Sequence, residues 1–372
     1  RSREQALKVA KRVLKPSTSI DMRYLMRLNA EKGTGTFANV PGYYVGGKTG
    51  TAEKVVNGRY SKHKLLTDFM AVLPADKPKY LVMIMLDEPQ GLPSTHGFAT
   101  AGWNVGPTAG KTTRVPLALL EEPWLAGRKI LMLEPRRIAT RSAALHMAGL
   151  ATDRLQRPVQ LSLDLRAQYA MRDELVKARE KFHAKAAAGL ILNVNTGEVI
   201  AAVSEPDYDP NNPREANDPT RINRLTTGVY ELGSTFKVLT VAMALDDGKA
   251  TLHSKFDATH PLHYGRFYIH DYEPQHRFLS VPEIFTYSSN IGAARMALAV
   301  GVDGHKAFLK KMGQLDRLRT ELPESAEPLV PKHWGELNTV TIAFGHGLSV
   351  APLQAAMGIA ACVNGGLLIK PT

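Results

Sequence analysis

One stretch constrains this chain more than any other: Glu231-Leu232-Gly233-Ser234-Thr235-Phe236-Lys237, which runs straight into the apolar pattern Val238 to Leu245. A Gly and then a Ser stand where a helix should begin. Residues three apart on a helix share a face, so the spacing places the Ser234 hydroxyl beside the Lys237 amine on the first turn. A serine hydroxyl is a poor nucleophile until a base takes its proton. Lysine can be that base when burial and neighbouring positive charge lower its pKa. The positive end of the helix dipole and the free N–H groups of the first turn suit an oxyanion. Taken alone, the same tetrad also describes a serine near a helix N-cap and a surface lysine one turn on.

Composition narrows the class. Apolar residues make up 44% and charged residues 22% of 372, the balance of a globular protein rather than a disordered one. The net charge of +12 favours an anionic surface nearby, such as membrane, cell-wall polymer or nucleic acid. The basic residues are scattered, however, and no aromatic-basic stripe of the nucleic-acid kind is present. A single cysteine, Cys362, excludes an internal disulfide framework and a thiolate zinc cluster. Residues 1–30 carry no signal-peptide pattern, and no apolar run is long enough to span a bilayer.

Along the chain, Glu4 to Leu14 and Ile20 to Leu28 have helical spacing, with Ser17 or Thr18 as the N-cap of the second helix. Lys32 to Thr36 reads as a loop. Gly50, inside Val45-Gly46-Gly47-Lys48-Thr49-Gly50-Thr51, should weaken a strand, so its presence suggests close approach by another backbone. A peptide-like substrate pairing with the strand edge would need this. Lys48 would then offer charge to a carboxylate, and Thr49 or Thr51 a hydroxyl. Asp68 to Leu73 and Tyr80 to Leu86 read as strands, making residues 45–86 a three-stranded antiparallel meander. Ala99 to Gly110 reads as a short helix of small residues.

Residues 111–150 change character: helix from Thr113 to Leu120, a buried strand from Lys129 to Leu133, helix from Ile138 to Leu150. Gly110-Lys111-Thr112-Thr113 invites a phosphate-loop reading, but the required earlier glycine is Val105. Asp164 then caps a helix to about Lys185, and Leu190 to Val194 pairs with Glu198 to Val203 as a hairpin across Asn195-Thr196-Gly197. His260, His263, His270 and His276 match no metal-ligand spacing. In Tyr287-Ser288-Ser289-Asn290, Ser288 and Asn290 share one side of an extended or turn segment. A second serine can shuttle a proton and an Asn amide can hold a carbonyl. The plainer reading is a cap on the helix from Ile291 to Leu298.

Ser234-x-x-Lys237, Ser288-x-Asn290 and Lys48-Thr49-Gly50 together are the three active-site motifs of penicillin-binding proteins and serine β-lactamases. With the longer stretches Tyr230 to Lys237, Tyr287 to Gly292, Phe344 to Val350 and Gly46 to Lys54, the chain resembles class B penicillin-binding proteins, in particular division-specific peptidoglycan transpeptidases of the FtsI type. The resemblance covers about residues 1–110 and 152–372. In that family the motif order is Ser-x-x-Lys, Ser-x-Asn, Lys-Thr-Gly, whereas here Lys48 comes first. The chain thus resembles a circular permutation: 1–110 as the C-terminal part of the transpeptidase domain, 152–372 as its N-terminal and central part. The joining residues 111–151 are similar to the start of an HrpB-type DEAH-box helicase, with no DEAH box following; an inert linker is the plainer reading.

The resemblance implies an α/β (α+β) transpeptidase fold, with a five-stranded antiparallel sheet flanked by helices and an all-helical subdomain carrying Ser288. It implies D,D-transpeptidation of peptidoglycan stem peptides ending in D-Ala-D-Ala. Ser234 would be the nucleophile, Lys237 the base, and the N–H groups of Ser234 and Thr51 the oxyanion hole. Ser288, contacted by Lys48, would relay a proton to the leaving group, and Asn290 would hold the stem amide. Lys48, Thr49 and Thr51, around Gly50, would face the terminal carboxylate. β-Lactams would acylate the same serine, and divisome membrane proteins are the implied partners on the periplasmic side of the bacterial inner membrane. No metal, organic cofactor or nucleic acid is implied. Three other classes stay open: a β-lactamase-like hydrolase, an inactive divisome-binding module, and an ATPase built on 111–150. Against the first, the class A deacylating Glu would stand four residues before Asn338, where this chain has Trp334.

Overall fold

The computed structural model describes residues 2–106, 164–208, 214–215, 218–322 and 324–372. Five strands form one antiparallel sheet in the spatial order β1 to β5: Gly46–Val56, Arg59–Leu73, Tyr80–Asp87, Ala186–Asn193 and Val199–Glu205. The expected meander is there as β1 to β3, and the hairpin across Asn195 to Gly197 is β4 and β5. β2 is longer than Asp68 to Leu73. Its first half continues the pairing to a turn at Asn57-Gly58, where both residues have positive φ, as a two-residue hairpin turn requires. The exposed residues of that ribbon lack the apolar signature of the buried half.

Alternation along the strands sends side chains to two cores. Met70, Val72, Leu81, Met83, Leu190 and Leu192 face one layer, built largely from helices α1 (Pro16–Lys32), α3 (Lys237–Asp246) and α5 (Pro352–Val363). Phe69, Ala71, Val82 and Ile84 face the other, where α2 (Leu165–Lys181) contributes Met171 and Leu175. The central strand β3 is buried on both faces along its whole length, which is why its sequence is an unbroken apolar run. Asp164 caps α2, accepting from the N–H groups of Arg166 and Ala167. Beside Ser288, helix α4 (Asn290–Val300) packs with the helices Val302–Lys311 and Glu336–Ala343. Ala101–Asn104 is the short helix expected near 99.

Two expectations at the start of the chain are corrected. The helix there is only Arg3–Val9, capped by Ser2; Lys11–Arg12 instead pairs antiparallel with Leu367–Leu368. Val13 N–H also donates to the Gly366 carbonyl at 2.8 Å, so tertiary pairing overrides local helical spacing. The second helix begins at Pro16 with Lys15 at the cap position, not at Ser17 or Thr18. Proline suits the first helical position because its missing N–H would be unpaired there anyway. Thr18 instead donates to Asp246 Oδ1 at 2.9 Å, tying α1 to the end of α3. The segment 111–151 lies outside the described residues.

Candidate active site

The sheet edge and the start of α3 meet at the residues the motifs singled out. Strand β1 is held by α1: Arg27 Nη1 donates to the Val45 carbonyl at 2.7 Å and Asn29 Nδ2 to the Gly47 carbonyl at 2.8 Å. Gly233–Phe236 is a 3₁₀ turn, and the α-helix proper starts at Lys237. In a 3₁₀ turn residues three apart eclipse each other, which brings Lys237 Nζ within 2.8 Å of Ser234 Oγ. Gly233 makes the turn with φ +52, and a Cβ there would sit 2.4 Å from the Thr51 carbonyl oxygen. Only glycine lets the nucleophile's turn lie this close to the Lys48 strand.

Gly50 was expected to make room for another backbone. The backbone that approaches is the chain's own: a Cβ at position 50 would lie 2.2 Å from the Leu232 carbonyl and 2.5 Å from Thr235 Oγ1. The glycine is therefore explained by packing of the Ser234 turn on the strand.

Lys237 is fully buried and has four oxygens in reach: Ser234 Oγ at 2.8 Å, the Ser288 carbonyl at 2.5 Å, Ser288 Oγ at 3.1 Å and Asn290 Oδ1 at 2.8 Å. Burial first, then repulsion from Lys48, drives its pKa well below the ordinary lysine value, while Asp271 opposes the shift. Lys48 is also fully buried; its Nζ lies 2.9 Å from Ser288 Oγ and 3.3 Å from the Thr49 carbonyl. Burial lowers it to about 7, with Asp68 pulling the other way. Ser288 Oγ is thus bridged by two amines, one from the sheet and one from the helix.

Ser288 has φ +57, an uncommon conformation for a residue with a Cβ. The next residues fix it there. Ser289 caps α4, accepting from Gly292 N–H at 2.9 Å, and donates to Asp271 Oδ2 at 2.7 Å. Asp271 Oδ1 accepts from Ile291 N–H at 2.9 Å. Both the cap reading and the side-by-side reading of this segment hold, with Ser289 as the cap. Asn290 Nδ2 donates to the His270 carbonyl at 2.9 Å, so one amide hydrogen is engaged and the oxygen faces Lys237.

The remaining predicted residues line the strand. Thr49 is buried and donates to Thr34 Oγ1 at 2.6 Å; Thr51 is half-buried and accepts from Ala101 N–H at 3.1 Å. Sequence reasoning missed Thr34, Asp68 and Asp271, and gave no role to Glu231. The Glu231 carboxylate accepts from Gly347 N–H at 2.9 Å and from Tyr60 Oη at 3.1 Å, and His346 Nδ1 stands 3.6 Å away. Burial, then Lys237, lowers His346 to about 4, so it is neutral at pH 7. Strand register could have revealed Asp68, which pairs with Gly50; no local pattern marks Asp271 or Thr34. Concavity is a poor guide, since a surface hollow of about 530 Å³ beside Arg3, Arg23 and Lys79 includes none of these residues.

Comparison with known proteins identifies the family. The family model of the penicillin binding protein transpeptidase domain matches residues 2–102 and 187–372. A probable peptidoglycan D,D-transpeptidase FtsI of Caulobacter vibrioides is 45% identical over 209 residues, covering 56% of this chain and 36% of that protein. A probable peptidoglycan D,D-transpeptidase PenA of Neisseria gonorrhoeae is 33% identical over 211 residues, with the same coverage of 56% and 36%. The chain thus spans about a third of the length of these relatives. Among solved structures, a peptidoglycan glycosyltransferase from Burkholderia ambifaria is similar with TM-score 0.51 and 30% identity, over 56% of this chain and 63% of that one. The transpeptidase domain of penicillin-binding protein 3 from Burkholderia pseudomallei gives TM-score 0.50 at 30% identity, over 56% of this chain and 60% of that one. The motifs meeting at Ser288, the five-stranded sheet and a family match over more than half of the chain make this protein a member of the penicillin-binding protein transpeptidase domain family.

Proposed function

We propose that this chain is a peptidoglycan D,D-transpeptidase of septal cell-wall synthesis, acting through an acyl-enzyme on Ser234. The observation that carries the reading is the amine–hydroxyl chain: Lys237 Nζ meets Ser234 Oγ at 2.8 Å, and Ser288 Oγ lies between Lys237 and Lys48 at 3.1 and 2.9 Å. With its pKa pushed down, Lys237 has a free lone pair for the Ser234 proton. Ser234 Oγ then attacks the carbonyl of the penultimate D-Ala of a stem peptide. The N–H groups of Ser234 and Thr51 hold the oxyanion. Ser288 passes a proton from the amines to the departing D-Ala nitrogen as the C–N bond breaks. The amine of a neighbouring stem attacks the ester, releases Ser234 and completes the cross-link. Asn290 holds the stem amide, and Lys48, Thr49 and Thr51 face the terminal carboxylate, with Gly50 keeping the strand close. A β-lactam acylates Ser234 by the same first step.

The same reading takes residues 1–110 and 152–372 as a circularly permuted transpeptidase domain, joined by a helicase-like linker at 111–151. Its support is the motif order, with Lys48 ahead of Ser234, and the pairing of β3 with β4 across the join. The reading puts the protein on the periplasmic side of the inner membrane with divisome membrane proteins as partners. Among the described residues no helix is long and apolar enough to cross a membrane. Labelling with a fluorescent penicillin, read by intact mass, tests the function. One covalent adduct, lost in Ser234→Ala, supports it; a folded protein that takes no adduct refutes it.

A further inference from the structure

One acidic group is buried against the site with half of its hydrogen-bonding capacity unused. Asp68 on β2 is fully buried and stands opposite Gly50 of β1 in the antiparallel register. Cross-strand partners share a face of the sheet, and Lys48 lies two residues from Gly50 on that same face. The carboxylate reaches the turn of the nucleophile, where Thr235 Oγ1 donates to Asp68 Oδ1. Asp68 Oδ2 has no protein donor among the described residues. A Cβ at position 50 would come within 2.4 Å of this oxygen, so Gly50 also makes space for the acid.

A buried carboxylate is costly unless paired with charge or donors. Lys48, from β1, is the charged group that acts on it; the turn offers only the neutral Thr235 hydroxyl. Lys237, from α3, couples instead to Lys48 and to Asp271. Burial raises Asp68 to about 7, opposed by the Thr235 hydrogen bond and then by Lys48. Acid and amine thus each favour the charged form of the other.

We propose that Asp68 is a positioning residue for the acylation of Ser234: its carboxylate is the counter-charge that keeps a proton on Lys48, and through Thr235 it anchors the turn that carries Ser234. Asp68 itself makes and breaks no bond. Charge held on Lys48 repels a second proton from Lys237, which stays the neutral base, while Lys48 remains the donor to Ser288 Oγ. The catalytic meaning of this arrangement rests on the transpeptidase reading; the Asp68–Lys48 coupling does not.

The test uses the full chain with lysine side chains labelled with ¹³C at Cε, comparing wild type, Asp68→Asn, Asp68→Ser and Thr235→Val. The Lys48 signal, assigned with Lys48→Arg, is titrated by NMR and reads protonation without turnover. Lys48 is expected to titrate at least about one pH unit lower in both Asp68 variants, a tenfold change in its protonation equilibrium. Thr235→Val is expected to move it the same way by less, because the ionised acid loses a donor. The second-order rate of acylation by a penicillin is then followed from acid to alkaline pH. Its alkaline limb is expected to move down with Lys48 in the Asp68 variants. Asp68→Ser is smaller and keeps a partner for Thr235, so the test survives poor packing of Asn. A Lys48 titration unmoved in Asp68→Ser overturns the proposal, and so does an acylation profile lowered equally at every pH. A Lys48 titration displaced in the Asp68 variants, with a wild type that is never acylated, would uphold the counter-charge and refute the transpeptidase reading.

Discussion

Two lysines enter this site fully buried, one on a strand and one on a helix, and their surroundings separate them. Lys48 on β1 has Asp68 of the neighbouring strand pulling its pKa up and is lowered only to about 7. Lys237 on α3 has its second-largest influence from Lys48 itself, which pushes in the same direction as burial. Each amine thus feels an acid, Asp68 for Lys48 and Asp271 for Lys237, but only for Lys237 does a neighbouring lysine outrank it among the influences. The repulsion between the two amines disfavours charging both, and in the proposed roles the strand lysine carries the proton while the helix lysine accepts one. Two identical side chains acquire opposite duties from their neighbours, in line with the separation of acid and base roles by environment.

The largest effect expected from breaking this asymmetry is Lys237→Ala, which should lower the rate of penicillin acylation by about 10³–10⁴-fold, near the upper range for loss of a general base. Stopped-flow acylation would check it, with circular dichroism confirming that the variant is folded. Lys48→Ala should cost less, about 10²–10³-fold, the scale for loss of one preorganised donor. Identical losses and identical pH profiles in the two variants would dissolve the distinction.

The pH profile sharpens the same comparison. Lys237 must be neutral to act, so acylation should fall on the acid side as pH drops through its depressed pKa. Lys48 must be charged to donate, so acylation should fall on the alkaline side as pH rises through about 7. The profile should therefore be a bell with its maximum at or below neutral pH, measured as the second-order acylation rate. A rate climbing steadily through pH 9 would contradict the assigned roles.

Smaller effects are expected where packing rather than charge is disturbed. Gly50→Ala puts a methyl 2.2 Å from the Leu232 carbonyl, and overpacking of this kind costs about 1–3 kcal/mol. The strand and the Ser234 turn should move apart, lowering both the denaturant midpoint and the acylation rate. Asp271→Ala removes the acceptor for Ser289 Oγ and Ile291 N–H. It should destabilise by about 1–3 kcal/mol, the cost of leaving buried donors unpaired, in chemical denaturation. It also removes an acid that opposes the lowering of the Lys237 pKa, and because both lysines stay in place its fall in acylation should be smaller than that of Lys48→Ala.

Much of the molecule was legible in the chain itself. Apolar runs rich in β-branched residues marked the meander, and Gly197 marked the hairpin of β4 and β5. Asp164 announced the start of α2. The spacing of Ser234 and Lys237 foretold their contact, because three residues bring side chains together in either kind of helical turn. The failures are equally physical. Glu4 to Leu14 has helical spacing, yet Lys11 and Arg12 join a ladder with Leu367 and Leu368, whose bonds local periodicity cannot register. The strand containing Asp68 starts at Arg59, because the outer half of a ribbon exposed to solvent needs no apolar alternation.

What the sequence by itself determined is the chemical inventory: a nucleophilic serine one turn before a lysine, a second serine with an asparagine, and a lysine–threonine–glycine strand. Those choices are local, made by residue type and spacing along one element. The tertiary structure decided how the inventory is joined. Lys48 and Ser288 are 240 residues apart and 2.9 Å from each other, and Asp68 reaches Thr235 across 167 residues. The tertiary structure also decided which acid acts on which lysine, and that Gly50 serves the chain's own packing. Burial depth, the proximity of like and unlike charge, and strand register arise only when distant segments pack together, and these quantities set the protonation state of each amine.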